Sequence, residues 1–348
     1  MKIQLSDHFS YRKLLRFTLP SIIMMVFSSI YGVVDGFFVS NLVGKTSFAA
    51  VNFIFPVLMI LGALGFMMGT GGSALVAKYM GQGKPEKARQ LFSFLIYATL
   101  GLGIVTAIIS FFLLRPLAVL LGAEGTMLDD AVIYAKIQLL SLPLFMLQYT
   151  FQSFFITAEK PQLGLVSTVL SGVTNMVLDA LFMAVFHWGL VGASAATAIS
   201  QVVGGLFPLI YFSLPNSSLL RLGKPQFNGK DLVKTCTNGS SELMSNISMS
   251  LVSMLYNYQL MKYAGENGVA AYGVLMYVNM IFMAIFIGYS TGIAPVVSFH
   301  FGAQDHKELQ GLLRKSVKII GIGAIAMFLL AEVCADPWPV SLWAMTGN

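Results

Sequence analysis

Residues 17–40 read FTLPSIIMMVFSSIYGVVDGFFVS, 24 positions in which Asp35 is the single charged side chain. A helix needs about 20 predominantly apolar residues to cross roughly 30 Å of hydrocarbon. With Leu14, Leu15 and Arg16 in front, the segment predicts a membrane-spanning helix over 14–40. Comparable runs predict further helices over 51–78, 90–114, 130–157, 163–186, 191–213, 237–262, 269–298 and 315–335. The whole chain agrees: of 348 residues, 56% are hydrophobic and 10% charged, against about 25% charged in a soluble domain. A mean hydropathy of +0.77 excludes a soluble globule. No ten-residue alternating pattern supports a β-barrel. The expected fold is therefore all-α and polytopic, with about nine transmembrane helices.

The net charge of +6 and pI near 9.2 raise the question of nucleic acid, and the positions of the bases answer it. Sorted by loop, 17 of the 21 Lys and Arg fall on one side of the predicted spans and four, Lys45, Arg115, Lys136 and Lys262, on the other. Such asymmetry predicts a cytoplasmic amino terminus and bases facing anionic headgroups. Nucleic acid is not an expected partner; the lipid bilayer is. Before the first span, Ser10-Tyr11-Arg12-Lys13 reads as an interfacial helical turn capped by Ser10.

Self-comparison at an offset of 221 residues pairs Thr70-Gly71 with Thr291-Gly292, Val76 with Val297, Gly81 with Gly302 and Leu91 with Leu312. Such a repeat is common in transporters. It divides the chain into an interfacial start at 1–16, a six-helix lobe at 17–213, a polar linker at 214–234 and a partial second lobe at 235–348. By the same arithmetic, a complete second copy would run roughly 90 to 100 residues further.

Three acids, Asp35, Asp179 and Glu242, fall within predicted spans away from loop ends. An acid at a helix centre costs about 2.5–3.5 kcal/mol on insertion scales, which points to function; the alternative is a structural carboxyl tied into helix packing. Tyr31 and Asp35 are four apart on helix one, Asn175 and Asp179 four apart on helix five, and Gln148 and Gln152 repeat the spacing on helix four. Thr197 lies in the small-residue run 192–198 of helix six. These faces avoid lipid and should converge on one cavity. Two carboxyls in a desolvated site interact strongly through any proton they share, the chemistry of proton coupling. Asn238, Glu242, Asn246 and Ser250 form a polar stripe on helix seven, either a second cation or substrate site or a polar helix seam. The 20 methionines suit a soft wall for varied apolar ligands as well as plain core filler. Cys236 and Cys334 should lie at opposite ends of their helices and not pair. No Walker A, HExxH or GxSxG motif supports an ATP-driven pump or a common hydrolase, so no enzyme activity and no cofactor are expected.

At Val34-Asp-Gly-Phe-Phe-Val-Ser40, at GGSALVAKYMGQGKPEKAR over 71–89 and at Asn175-Met-Val-Leu-Asp179, the chain resembles the multidrug and toxic compound extrusion (MATE) family, nearest its bacterial DNA-damage-inducible F-type branch. The resemblance implies two six-helix bundles related by a pseudo-twofold axis and a monomeric antiporter of the bacterial plasma membrane. Its coupling ion would be H+ or Na+, and its partners small-molecule drugs or metabolites. It assigns cation coupling to Asp35, Asn175, Asp179 and Thr197, with Na+ at the first three as one form. Glu242 matches a helix-seven acid that some members use with sodium. Tyr31, Gln148, Gln152, Glu242 and Asn246 would then serve substrate or a second cation. The alternatives weighed against this are a lipid-linked saccharide flippase, which should show several basic side chains in its cavity, and an inactive fragment.

Overall fold

A computed structural model describes the backbone of residues 3–334 and the side chains along it, except at 45–46, most of 253–278 and 333–334. The described chain is helical, as expected. Its elements are α1 (Tyr11–Leu42), α2 (Lys45–Gly81), α3 (Pro85–Leu120), α4 (Gly125–Thr157), α5 (Pro161–Asp179) followed by a π-helical turn (Ala180–Val185), α6 (Gly189–Ser213), α7 (Gly229–Gly302) and α8 (His306–Cys334). Seven stretches are long and apolar enough to cross a membrane, namely α1, α2, α3, α4, α5 with its π turn, α6 and Asn279–Gly302. Helices overrun the predicted spans because hydropathy marks the hydrocarbon boundary, whereas backbone hydrogen bonding continues beyond it. Thus α3 begins at Pro85 rather than 90, the proline at the first helical turn where its missing N–H costs nothing. The α2–α3 reversal uses Gly83 at φ +71°, a left-handed conformation that a side chain disfavours.

Contacts sort the loops into two ends. At one end Leu5 meets Glu159, Tyr79 meets Asp231, Arg89 meets Leu219, Lys160 meets Ser217 and Phe9 meets Glu308. At the other, Ser47 meets Asp130 and Arg115 meets Asp129. The first set gathers the loops that hold the excess of Lys and Arg; we refer to it as the basic end.

The expected helices over 237–262 and 269–298 appear as one helical run, α7, of 74 residues. Straight, it would extend about 111 Å. Yet Thr235 packs on Gly71 and Phe299 on Gly81, positions only about 15 Å apart along α2. The run therefore reverses between Gly239 and Gly288 and forms two arms.

The arms meet α1 and α2 through glycines. A Cβ at Gly81 would overlap the Phe299 carbonyl, and one at Gly302 would overlap that of Lys78. At Gly71 it would strike the Thr235 carbonyl and at Gly239 that of Met67. On α1, a Cβ at Gly288 would lie 2.6 Å from Ile22 Cα, and one at Gly292 would lie 3.1 Å from Thr18. These contacts exchange under the 221-residue offset: Gly81 on 299 becomes Gly302 on 78, and Gly71 on 239 becomes Gly292 on 18. The repeat is thus visible as packing, with backbones in direct contact as small residues in membrane helices allow.

Before α1, residues 3–10 form a strap across the basic end. Ser10 caps α1 as expected, accepting the Lys13 amide at 3.4 Å. Leu5 and Phe9 are fully buried in a cluster with Phe17, Ile156, Val296 and Leu312. The Leu5 amide donates to Glu159 Oε1 at 2.8 Å and the Phe9 amide to Glu308 Oε1 at 2.9 Å. His8 Nδ1 lies 2.6 Å from Glu308 Oε2, and Lys315 donates to the Phe9 carbonyl. Burial pushes the Glu308 carboxyl up, but the Phe9 amide, His8 and Lys315 together hold it below its ordinary value. A depressed carboxyl stabilises the strap above the ordinary carboxylate range, and that contribution is lost as pH falls through the folded-state value. Hydrogen exchange at the Phe9 amide should therefore speed up about 10- to 100-fold in Glu308→Gln, the range expected for a charged hydrogen bond. Unchanged protection would refute the clasp.

Cys236 is unpaired; the side chain of Cys334 and the Pro/Trp-rich tail from Asp336 onward lie outside the described residues.

Candidate functional site

α5 is inside out relative to a soluble amphipathic helix. Its buried face is Gly164, Ser167, Thr168, Ser171, Gly172, Asn175 and Asp179, while Val166, Leu170, Val173 and Val177 are 43–59% exposed and face outward. Small and polar residues buried against neighbours are what a lipid-facing helix requires, since lipid already solvates the apolar face. Gly172 admits α1, for a Cβ there would lie 2.5 Å from Phe27 and 3.0 Å from Tyr31. That close approach sets Asp35, one turn further along α1, against the end of α5.

The Asp35 and Asp179 carboxyls face each other side chain to side chain, with Asn175 against Asp35. Asp179 and Asn175 are 0% and 1% exposed. Asn175 Nδ2 donates to Thr197 Oγ1 at 3.4 Å, and Thr197 in turn donates to the Ala193 carbonyl at 3.1 Å. Asp35 Oδ1, Asn175 Oδ1 and both Asp179 oxygens are buried without a hydrogen-bond partner. Among the described residues the ion pairs lie at the two ends of the bundle, and none includes Asp35 or Asp179. Directly after Asp179 the helix widens into the π turn Ala180–Val185, a backbone form found mostly at functional sites.

Tyr31 lies beside Asp35. Gln148 Nε2 donates to Ser171 Oγ at 3.3 Å and Gln152 Nε2 to Thr168 Oγ1 at 3.4 Å. Both glutamines thus occupy the α4–α5 seam toward the basic end rather than the carboxyl pair itself. Glu242 is exposed, and Asn246 spends its amide on the Glu242 carbonyl at 2.8 Å; neither meets the α1–α5 cluster in any described contact. Sequence reasoning missed Tyr134 on α4, which is 3% exposed and whose hydroxyl meets Thr197 beside both carboxyls. The available signal was a phenol inside an apolar span, since a buried Tyr hydroxyl usually needs a partner. Tyr149, stacked on Phe66 at 3.7 Å between centroids, extends this aromatic wall from Tyr31.

A buried carboxyl facing another inside a repeat-built membrane bundle is an arrangement that transporters use. The MatE family model matches residues 20–181 and 243–343, two stretches that start 223 residues apart, next to the internal offset. The multidrug export protein MepA of Staphylococcus haemolyticus is 26% identical over 319 residues, 91% of this chain and 69% of that protein. MepA of Staphylococcus aureus is 27% identical over 329 residues, covering 93% and 71%. A multidrug resistance MATE family transporter of the MOP superfamily in an outward-facing conformation superposes with a TM-score of 0.90 at 24% identity, over 96% of this chain and 75% of that one. A MOP superfamily transporter from Pyrococcus furiosus gives 0.88 at 25% identity, over 96% and 75%. The chain belongs to the MatE family and is a membrane transporter, not an enzyme.

Proposed function

We propose that the chain is a cation-coupled exporter of amphipathic, mostly cationic small molecules, acting as a monomer across a bacterial cytoplasmic membrane with the basic end in the cytoplasm. The observation that carries this reading is the Asp35–Asp179 pair between α1 and α5, Asp179 fully buried and Asp35 half-buried, with neither in an ion pair among the described residues. Two bare carboxylates at that range in a low dielectric repel strongly. One proton or one small cation between them removes the repulsion and gives the orphaned oxygens a partner. Asp35 Oδ1, Asn175 Oδ1 and the Asp179 oxygens form an all-oxygen set, suited to H+ or to a hard cation such as Na+.

In this reading the first lobe, 17–213, carries the coupling site, and the partial second lobe, 235–348, rocks against it about the glycine seam, with 214–234 as the link. Tyr31, Tyr134 and Tyr149 provide ring faces that attract an organic cation. Cation entry from outside neutralises the carboxyls, and a cationic drug held near them is then released outward. The glycine contacts and the strap hold the helices together at the basic end, as an outward-facing arrangement requires.

Reconstitution tests it. Proteoliposomes loaded with ethidium and given either an inward proton gradient or an inward sodium gradient should export dye several-fold faster under one of them. If neither gradient changes the rate, coupled export is the wrong function.

A further inference from the structure

Near the basic end, a cavity of about 620 Å³ opens between α2 and the two arms of α7. That volume is in the range of small-ligand sites. Two lysines line it from distant parts of the chain, Lys78 on α2 and Lys234 on the first arm of α7. Neither forms an ion pair among the described residues. Asp231, one turn before Lys234, is already engaged. Its Oδ1 accepts from Tyr79 at 2.7 Å, while Oδ2 accepts from Asn228 at 2.9 Å and lies 3.6 Å from Lys87 Nζ. It lies outside the cavity lining and is engaged with Tyr79 and Asn228 rather than as a counter-ion for the cavity. Gln82, Asn238 and Ser298 add uncharged polar groups. Phe301, 57% exposed, lies under the Lys78 ammonium at 4.9 Å and gives the mouth an apolar rim.

We infer that this cavity binds the phosphate of an anionic phospholipid headgroup, which bridges the two halves of the chain at their seam. Two like charges converge from separate elements with no acid between them, and an anion in that gap favours keeping the elements together. The polar groups match phosphate and glycerol oxygens, and the rim at Phe301 and Val297 matches the start of an acyl chain. Basic pockets between membrane helices on the cytoplasmic side recognise anionic headgroups in this way. The inference rests on the basic end facing the cytoplasmic leaflet, but not on drug export or on the Asp35–Asp179 site.

The test is binding, independent of transport. The full chain, purified in detergent, is titrated with short-chain phosphatidylglycerol and phosphatidylcholine, and bound lipid is counted by native mass spectrometry. Phosphatidylglycerol should bind about thirtyfold more tightly, about fivefold for each lysine, and the preference should vanish in Lys78→Gln/Lys234→Gln. The pair Arg314→Gln/Lys318→Gln removes the same charge from α8 and should leave it intact. Inorganic phosphate tested as a competitor separates the sources: no displacement at millimolar concentration supports the lipid, and full displacement assigns the site to a free anion and overturns the lipid. Equal affinity for both lipids, or equal loss of preference in the two double variants, overturns the site. A chain that exports dye yet shows no lipid preference would sink this inference alone.

Discussion

Asp35→Asn is expected to abolish dye extrusion while leaving the protein folded and in the membrane. Asparagine keeps the size of the side chain and can donate to the unpartnered Asn175 Oδ1, so packing at Gly172 is undisturbed. It cannot release a proton and carries no charge for a metal cation, so the free energy of the ion gradient has no entry point at α1. The loss should be at least about 100-fold in rate, since coupling contributes to every cycle rather than to affinity alone. Glu242→Gln should cost far less, because Glu242 is exposed on the first arm of α7 and meets none of the α1–α5 cluster. Ethidium efflux from cells producing matched amounts of each variant reads both. Equal efflux by Asp35→Asn and the parent chain would mean that coupling resides elsewhere.

Gly239→Val should open the seam. A Cβ at Gly239 collides with the Met67 carbonyl, a backbone group that cannot swing aside as a flexible side chain can. The branched side chain needs still more room, so α2 and the first arm of α7 must separate. Overpacking of this kind costs about 1–3 kcal/mol, enough to reverse a balance between open and closed states that itself amounts to a few kcal/mol. Cys236, half-buried one turn away and unpaired, reports the separation. In a Cys334→Ser background, labelling of Cys236 by a membrane-impermeant maleimide should rise about tenfold or more in Gly239→Val, and efflux should fall with it. Labelling at the parent rate together with an unchanged melting temperature would contradict the packing described for Gly239 and Met67.

The carboxyl cluster was legible in the sequence because its signals are local. An acid in an apolar run and polar residues four apart on one helix need no knowledge of the rest of the chain, and Asp35, Asn175, Asp179 and Thr197 indeed meet. Tyr134 was less legible because its partner Thr197 sits on another helix, and the one local signal, a phenol inside an apolar span, does not say what the hydroxyl meets. The strap shows the same limit. Ser10 announces a helix cap, but the pairing of the Phe9 amide with Glu308 joins residues 299 positions apart. The π turn after Asp179 leaves no mark in hydropathy or propensity, since the same side chains serve an α-helix. Helices run past the expected spans where charges sit at the headgroup level, as at the starts of α3 and α7. Glu242 stood out for the same local reason as Asp35, and its exposed position shows that a charge in a span does not by itself say which cluster it joins.

The reciprocal contact at the seam has an implication for ancestry. Residues 78–81 touch 299–302, which are their own images under the internal offset, so the segment is complementary to itself. Self-complementarity about a twofold axis defines an isologous interface, the kind that joins two identical subunits. Both copies enter the bilayer from the same end, so that axis runs along the membrane normal. A half-length forebear carrying only the first copy would already have possessed the surface needed to pair with a second molecule in the same orientation, and gene fusion would have made permanent a partnership that first existed between separate chains.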